Sequence, residues 1–124
     1  MTGEAVLARY AYALDQHDPA ALAGVLTEDA VWEFVIAGEV SPVTGRQAIL
    51  DFVRDSTAGQ TDQRRHHLTT VVVENTTAQA YLMLTSNAGG SPTVITTGFY
   101  TFTLERADDE WRIAKLVLVM DNAP

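Results

Sequence analysis

The chain has no cysteine, and it therefore has no disulfide, no thiolate metal ligand and no cysteine nucleophile. Basic residues are also scarce, because 8 Lys and Arg stand against 16 Asp and Glu and give a formal net charge of -8. Binding to a nucleic-acid backbone requires a cluster of cations that displaces counterions, and the sequence offers none. We therefore expect no nucleic-acid partner.

Long apolar runs are missing as well. No stretch of about 18 apolar residues occurs, and the first residues, MTGEAVLARYAYALDQ, lack the basic start and the continuous apolar segment of a signal peptide. The sequence predicts no membrane-spanning segment and no membrane partner. A cytoplasmic location is the default expectation.

The composition that remains is typical of a globular protein. Hydrophobic residues make up 47% of the chain and charged residues 19%, and no repeat, low-complexity tract or linker interrupts it. At 124 residues the chain is long enough to bury a core of its own. We expect a single domain over residues 1–124.

The first segment has the spacing of an amphipathic helix. Its apolar residues recur three and four positions apart, at Val6, Leu7, Tyr10, Ala11 and Leu14. Leu7, Ala11 and Asp15 advance by four and share one side of that helix. Asp15 is therefore predicted to end an apolar row.

Three further elements are predicted in the front half of the chain. Asp18 can cap a second short helix with Pro19 in its first turn, and this helix should end near Thr27. The alternating, β-branched and aromatic segment AVWEFVI predicts a strand over residues 30–36. The Gly, Ser and Pro content of AGEVSPVTG indicates a loop.

A third helix should begin at TGRQ, where Thr44 and Gln47 have the spacing of a capping box. Gly59 is the predicted end of this helix. Its predicted buried face consists of Ala48, Ile49, Phe52 and Val53.

Beyond this helix the apolar period changes to two. The predicted strands cover residues 64–74, 78–87, 93–106 and 110–121, with turns at ENTT, NAGGSP and RADDE. The order of elements indicates an α+β fold, with three helices and one strand in front of a four-strand meander and the helices packed on one face of a curved sheet. Such a sheet can form a cone that holds a small molecule, although the pattern alone leaves other α+β topologies open.

The stretch RRHHLTT contains two of the three histidines. In a strand, neighbouring side chains point to opposite faces, so only one of them can face an enclosed site. Counting by twos gives two sets, namely His66, Leu68, Thr70 and Val72 on one face and His67, Thr69, Val71 and Val73 on the other. Both faces carry apolar residues, and the pattern does not choose between them.

Four segments together resemble the NTF2-like superfamily and, within it, the SnoaL-like branch of polyketide cyclases, dehydratases and isomerases. They are ARYAYALDQHDPAALAGVLTEDAVWEF, TGRQAILDFV, RRHHLTTVVVE and WRIAKLVLVMD. The resemblance implies a cone of three N-terminal helices on a strongly curved, mostly antiparallel sheet. It also implies a small-molecule substrate and no metal or organic cofactor.

The resemblance suggests catalytic residues one at a time. In scytalone dehydratases an aspartate at the end of the first helix pairs with a histidine on the second strand, and Asp15 and His66 match that pair. In ketosteroid isomerases a tyrosine of the first helix donates to the oxyanion, and Tyr10 matches it. The residues expected to contact the substrate are Trp32, Phe34, Tyr81, Met83, Phe99, Leu116, Met120 and Asp121.

Other family positions do not match. The isomerase general base would fall at Phe34 and its second acid near Thr103, which disfavours steroid isomerisation. The second dehydratase histidine would fall at about Tyr81 or Leu82. These losses keep open a non-catalytic module that binds a small molecule or associates with a partner.

In the favoured hypothesis, His66 is a general acid and base, Asp15 orients it, and Tyr10 or Tyr81 donates to an oxyanion. The substrate would be a polyketide-like or aromatic ketone that undergoes cyclisation, dehydration or isomerisation. Epoxide hydrolysis would instead need a network of Asp15, Arg46 and Asp121. The spacing of the histidines predicts no metal site.

The resemblance also places His66 inside the cone, which puts His67, Val71 and Val73 on the back of the sheet. A sheet that is apolar on both faces is usually covered on the second face too. We therefore expect a homodimer formed through this back face.

Overall fold

The computed structural model describes residues 2–122 and contains three helices and six strands within them. In chain order these are α1 (Gly3–Asp15), α2 (Pro19–Gly24), β1 (Leu26–Ile36), β2 (Glu39–Thr44), α3 (Arg46–Thr57), β3 (Gln63–Glu74), β4 (Thr77–Ala88), β5 (Ser91–Ala107) and β6 (Glu110–Met120). The predicted α+β class is confirmed. Two strands, rather than the predicted one, separate the second helix from the third.

All six strands form one sheet in the order β2-β1-β6-β5-β4-β3. The last four strands are the predicted meander, and only the β1–β6 pair is parallel within the described residues. Register shifts interrupt four of the five strand pairs. Such irregularities bend and twist strands, and the sheet curves around the helices.

Helix α1 provides much of the core. Thr2 caps it by accepting a hydrogen bond from the Ala5 N–H at 3.1 Å. Its apolar side, including Val6, Leu7 and Tyr10, is buried against the sheet face that we call the inner face. Each fully buried large apolar side chain contributes about 1.5–3 kcal/mol to folding.

The helix is 13 residues long, and none of the helices in residues 2–122 is long and apolar enough to cross a membrane.

Helix α2 begins as predicted and ends earlier than predicted. Asp18 accepts a hydrogen bond from the Ala21 N–H, and Pro19 opens the helix. The predicted end near Thr27 is wrong, since the helix stops at Gly24 and Leu26 already belongs to β1. The backbone oxygen of Val25 accepts the Ile113 N–H at 2.8 Å, so pairing with β6 replaces the next helical turn.

The predicted loop after β1 is instead a hairpin. Ala37 and Gly38 have positive φ angles of 52° and 82° and turn the chain, and β2 then pairs antiparallel with β1. Pro42 lies in β2, which is an edge strand of the sheet. An edge strand pairs on one side only, so the N–H that proline lacks can fall on the unpaired side without the loss of a hydrogen bond between strands.

The start of α3 also differs from the prediction. Thr44 belongs to β2, the N-cap is Gly45 with a φ of 98°, and no side chain caps the helix. The capping box is therefore wrong, and Gln47 instead donates to Asp51 at 3.0 Å. The helix ends at Thr57, just before Gly59.

The predicted buried face of α3 is only partly correct. Ile49 is buried and Val53 is half-buried, but Ala48 is exposed and Phe52 remains 41% exposed. Because α3 packs only against β1, β2 and α2 at one end of the sheet, a single row of its side chains reaches the core. Phe52 lines a cavity instead.

Strand β3 contains a bulge that changes the predicted alternation. Thr70 has a φ of 54°, and the register with β4 shifts between Thr69 and Val72. Val73 therefore packs on the core, on the same face as Leu68, whereas Val72 is exposed. The prediction that Val73 lies on the outer face with His67 is wrong, because the extra residue reverses the order of the faces.

Candidate functional site

A cavity of about 450 Å³ lies between the end of α1, helix α3 and the inner face of the sheet. All six strands contribute to its wall. Its apolar lining includes Leu14, Trp32, Phe34, Ile36, Val43, Phe52, Val53, Leu82, Leu84, Leu118 and Met120. This volume lies within the usual range for small-molecule sites, and a mostly apolar wall with a few polar groups is typical of them.

Asp15 and His66 meet in the wall of this cavity. The Asp15 carboxylate is the last side chain of α1 and is buried, and it accepts a hydrogen bond from His66 Nδ1 at 2.7 Å. It also accepts the backbone N–H of His66 at 3.0 and 3.1 Å. The backbone oxygen of Asp15 accepts Gln63 Nε2 at 3.2 Å and ties α1 to the start of β3.

This geometry determines which nitrogen of the imidazole is the donor and which is the base. With Nδ1 as the donor to a carboxylate, Nε2 is the basic nitrogen of the neutral ring, and it has no hydrogen-bond partner within residues 2–122. The carboxylate also stabilises the imidazolium that forms when Nε2 accepts a proton. His67 lies on the opposite face, which we call the outer face, and contacts the Thr85 hydroxyl at 2.9 Å.

A pair of buried tyrosines lies behind this dyad. The hydroxyl oxygens of Tyr10 and Tyr100 are 3.0 Å apart, and their rings pack edge to face. Burial raises the pKa of both hydroxyls, and the charge of Asp15 raises it further. Both groups therefore stay protonated and can act as donors.

Only one of these tyrosines reaches the cavity. Tyr100 lines it, whereas Tyr10 is 0% exposed and is not part of its wall. The prediction that Tyr10 faces the substrate is wrong, because Tyr10 is completely buried in the core and its hydrogen-bond partner Tyr100 lies in the wall instead. A donor to a bound ligand would have to be Tyr100.

Arg64 and its neighbours form a polar part of the wall. Arg64 Nε donates to Asp62 Oδ2 at 3.0 Å, and the Ser86 hydroxyl donates to the same oxygen. These two hydrogen bonds, that from Ser86 first, lower the pKa of Asp62 below its ordinary value. Gln60 lies beside Arg64 in the wall and donates to the Asp62 backbone oxygen at 3.3 Å.

An aromatic cluster forms another part of the wall. Trp32 and Phe34 follow each other on the inner face of β1, with ring centroids 4.9 Å apart. Phe52 of α3 lies 5.5 Å from Phe34 and 6.0 Å from Trp32. Of the predicted substrate contacts, Trp32, Phe34 and Met120 line the cavity.

Five other predicted contact residues do not line the cavity. Tyr81, Met83 and Phe99 lie on the outer face, and Tyr81 is 53% exposed. Alternation turns these three side chains away from the site, because the inner positions are Ala80, Leu82 and Leu84 on β4 and Tyr100 on β5. The two remaining residues of the five are Leu116, which is buried in the core, and Asp121, which is exposed and accepts the Thr97 hydroxyl at 2.6 Å.

The residues for epoxide hydrolysis are not brought together. Asp15 lines the cavity, but Arg46, at the start of α3, and Asp121, on the outer face, are not part of its wall. A water-activating network of the three is therefore not formed by the described residues.

Tyr100 and Arg64 are two of the cavity residues that were missed in the sequence. Tyr100 lies on the inner face of β5 in alternation with Phe102 and Leu104, which are both buried. Arg64 precedes His66 by two positions and so shares its face. Strand alternation would have found Arg64 once His66 was placed inside.

Comparison with known proteins agrees with this architecture. Residues 4–117 match the SnoaL-like domain, and the chain belongs to this family within the NTF2-like superfamily. No curated protein matches the chain significantly.

Three solved structures show the same fold. Rv3472 of Mycobacterium tuberculosis, a protein of unknown function, is 28% identical, with a TM-score of 0.77 over 97% of this chain and 70% of that one. An NTF2-like protein with a cystatin-like fold from Novosphingobium aromaticivorans is 24% identical, with a TM-score of 0.77 over 97% and 80%. A protein from Catenulispora acidiphila in complex with S-DNPA is 24% identical, with a TM-score of 0.82 over 95% and 90%.

Proposed function

We propose that this protein is a cofactor-independent acid/base enzyme of the SnoaL-like type. Its substrate would be a small aromatic or polyketide-like ketone that it cyclises, dehydrates or isomerises. The observation that carries this proposal is the contact of 2.7 Å between Asp15 and His66 Nδ1 in the wall of a largely apolar cavity.

The three reactions share a first step that these residues can perform. His66 Nε2 takes a proton from a carbon next to the carbonyl group, and the electron pair of the C–H bond moves to the carbonyl oxygen as an enolate. Asp15 stabilises the imidazolium that results. In dehydration the enolate re-forms the carbonyl group while the C–O bond to a β-hydroxyl breaks, and the imidazolium protonates the departing oxygen to give water. In aldol closure the enolate carbon forms a bond to a second carbonyl carbon, and the imidazolium protonates the alkoxide that results. In isomerisation the imidazolium returns the proton to another carbon of the extended enolate.

Tyr100 is the proposed donor to the enolate oxygen. Tyr100 lines the cavity, and its hydroxyl stays protonated and lies 3.0 Å from the Tyr10 hydroxyl. A preorganised donor at the oxygen where charge develops typically accelerates such steps strongly. Tyr10 would position Tyr100 without touching the substrate.

Proton exchange tests this first step without knowledge of the true substrate. We would incubate the protein with 2-tetralone, a bicyclic aromatic ketone with an acidic C–H, in D₂O and follow deuterium incorporation by NMR. Exchange should exceed the buffer rate with the wild type and with His67→Gln, and should fall about a hundredfold with His66→Gln. His67→Gln is the matched control, because it makes the same change on the outer face.

The alternative function is a binding module without chemistry. It is favoured by Leu82, an apolar residue that lines the cavity where the dehydratase would have its second histidine. In that case 2-tetralone would raise the melting temperature of the protein by binding. Its deuterium exchange would be no faster than in buffer.

We also propose that two copies associate through the outer face of the sheet. Five large hydrophobic side chains are exposed there, namely Val72, Tyr81, Met83, Phe99 and Val119. Apolar clusters of this kind on a sheet usually mark an interface. Light scattering should give twice the chain mass of 13.5 kDa, and Phe99→Glu should give the monomer. A wild-type monomer at micromolar concentration would refute this proposal.

A further inference from the structure

We propose that Arg64 makes the cavity selective for an aromatic substrate that carries an anionic group, such as a carboxylate. This inference specifies the substrate of the acid/base site and rests on that proposal for the place where the ligand binds. It concerns ground-state binding, so it can be tested separately from catalysis.

The first argument is the distribution of charge in the cavity wall. Three lining residues are acidic or basic at neutral pH or near it, namely Asp15, Arg64 and His66. Both oxygens of Asp15 are already occupied by donors from His66. Arg64 is the only Lys or Arg among the lining residues that the structure describes. The chain has a net charge of -8, so its overall charge does not explain a positive side chain in the wall of this apolar cavity. The position of Arg64 therefore points to a ligand with a negative group.

The second argument is that Arg64 is held in place at one edge only. Its Nε donates to Asp62, and Asp62 is itself fixed by the Ser86 hydroxyl. No hydrogen bond within residues 2–122 involves Nη1 or Nη2 of Arg64. A guanidinium presents its donors in a rigid plane, so these two nitrogens remain available for an anion.

The third argument is the location of Arg64 relative to solvent. Its side chain is 41% exposed, whereas the Asp15 side chain is 7% exposed. An anionic group can therefore bind at the rim of the cavity without losing all of its hydration, which would be costly in the interior. The rest of the ligand would extend into the apolar cavity.

The aromatic wall defines that remaining part. Trp32, Phe34 and Phe52 form one connected cluster in the same cavity as Arg64. Aromatic rings pack well against such a cluster in offset or edge-on arrangements. Together the two features fit an aromatic ketone that also carries an acid group better than a ketone without one.

A pair of probes of equal shape tests the inference. We would titrate 2-naphthoate and the neutral 2-naphthamide at pH 7 by isothermal calorimetry. The wild type should bind 2-naphthoate about tenfold more tightly than 2-naphthamide, as a charge-assisted contact with a half-exposed arginine implies. Arg64→Gln should abolish this preference and leave the affinity for the amide unchanged.

Three variants make the result specific. Arg65→Gln removes the same charge from the next residue, which is exposed on the opposite side of the strand, and should keep the preference. Asp62→Asn keeps the charge of Arg64 but weakens the group that holds it, and should reduce the preference partly. His66→Gln should retain the preference, so a failure of the catalytic proposal would leave this result intact.

Several outcomes would overturn the inference. They are equal affinities of the wild type for the two probes, no detectable binding of 2-naphthoate, or an equal loss of preference in Arg64→Gln and Arg65→Gln. The last outcome would mean that the overall field of the protein, and not a contact in the cavity, attracts the anion.

Discussion

The carboxylate of Asp15 binds both the backbone N–H and the ring of His66, which lies 51 positions further along the chain. The same side chain therefore connects the end of α1 to β3 and sets the orientation of the imidazole. Loss of this carboxylate should affect the stability of the fold as well as the chemistry of the site.

Asp15→Ala should lower the free energy of unfolding by about 2–3 kcal/mol, because it leaves the backbone N–H of His66 half-buried without its acceptor. Asp15→Asn, which keeps an acceptor, should lower it less. Asp18→Ala is the control, since it removes an exposed helix cap and should cost about 1 kcal/mol. Urea denaturation measures all three, and a loss for Asp15→Ala no greater than for Asp18→Ala would contradict the structural role.

The two buried tyrosine hydroxyls should be energetically coupled. Tyr10→Phe and Tyr100→Phe each remove one partner of the 3.0 Å hydrogen bond, and a double-mutant cycle should give a coupling of about 1 kcal/mol. The same cycle between Tyr10→Phe and Tyr12→Phe should give none, since Tyr12 is 63% exposed. A similar coupling in both cycles would mean that the hydroxyl contact is not its source.

Gly98 should tolerate no side chain. A Cβ atom at this position would lie 2.7 Å from the backbone oxygen of Val119, so β5 and β6 would have to separate locally. Gly98→Ala should cost about 1–3 kcal/mol of unfolding free energy. Gly24→Ala in α2, where a Cβ meets nothing within 4 Å, should instead be neutral or stabilising by up to about 1 kcal/mol. Equal effects in thermal or urea denaturation would refute the steric argument.

Asp62 should contribute to acid denaturation. Its pKa is lower in the folded protein than its ordinary value, because Ser86 and Arg64 donate to the ionised carboxylate. Its contribution is therefore present above the unfolded pKa of about 3.9 and is lost as the pH falls through the lower folded pKa.

Urea denaturation at several pH values between about 6 and 2 measures this contribution. The loss of stability below pH 4 should be shallower in Asp62→Asn than in the wild type. Asp108→Asn, a change of the same charge in an exposed turn, should follow the wild-type curve. A parallel curve for Asp62→Asn would contradict the assignment.

The elements that the sequence predicts well are those whose pattern depends on one periodicity. Helix α1 and the four meander strands have long, regular apolar patterns, and their bounds agree within a few residues. β2 was missed because Gly, Ser and Pro indicate a loop, whereas an edge strand accepts Pro42. The early end of α2 was missed because Val25 and Leu26 continue the helical spacing while they already pair with β6.

The sequence predicted which helix or strand carries each residue of the candidate site. It did not predict to which face of the sheet the side chains of a strand point. The positions of Asp15 at a helix end and His66 on a strand follow from the pattern together with the family resemblance. Tyr81 and Phe99 were placed in the cavity because large aromatic residues suggest a binding wall. The inner face instead carries Ala78, Ala80, Leu82 and Leu84 on β4, and Tyr100 and Phe102 on β5. No rule of alternation says which face carries the larger residues.

The bulge at Thr70 divides β3 into a part that lines the cavity and a part that packs against α1. Before it, Arg64 and His66 face the cavity, and after it Val73 packs beside Gly3 under α1. Five positions separate Leu68 from Val73, so regular alternation would place them on opposite faces, and the extra residue of the bulge brings both to the inner face. A deletion of one residue between Thr69 and Val72 would make this spacing even and keep both side chains inside without a bulge. The strand can therefore be shortened at this point without turning either half over, whereas at its present length it needs the bulge to keep both halves in place.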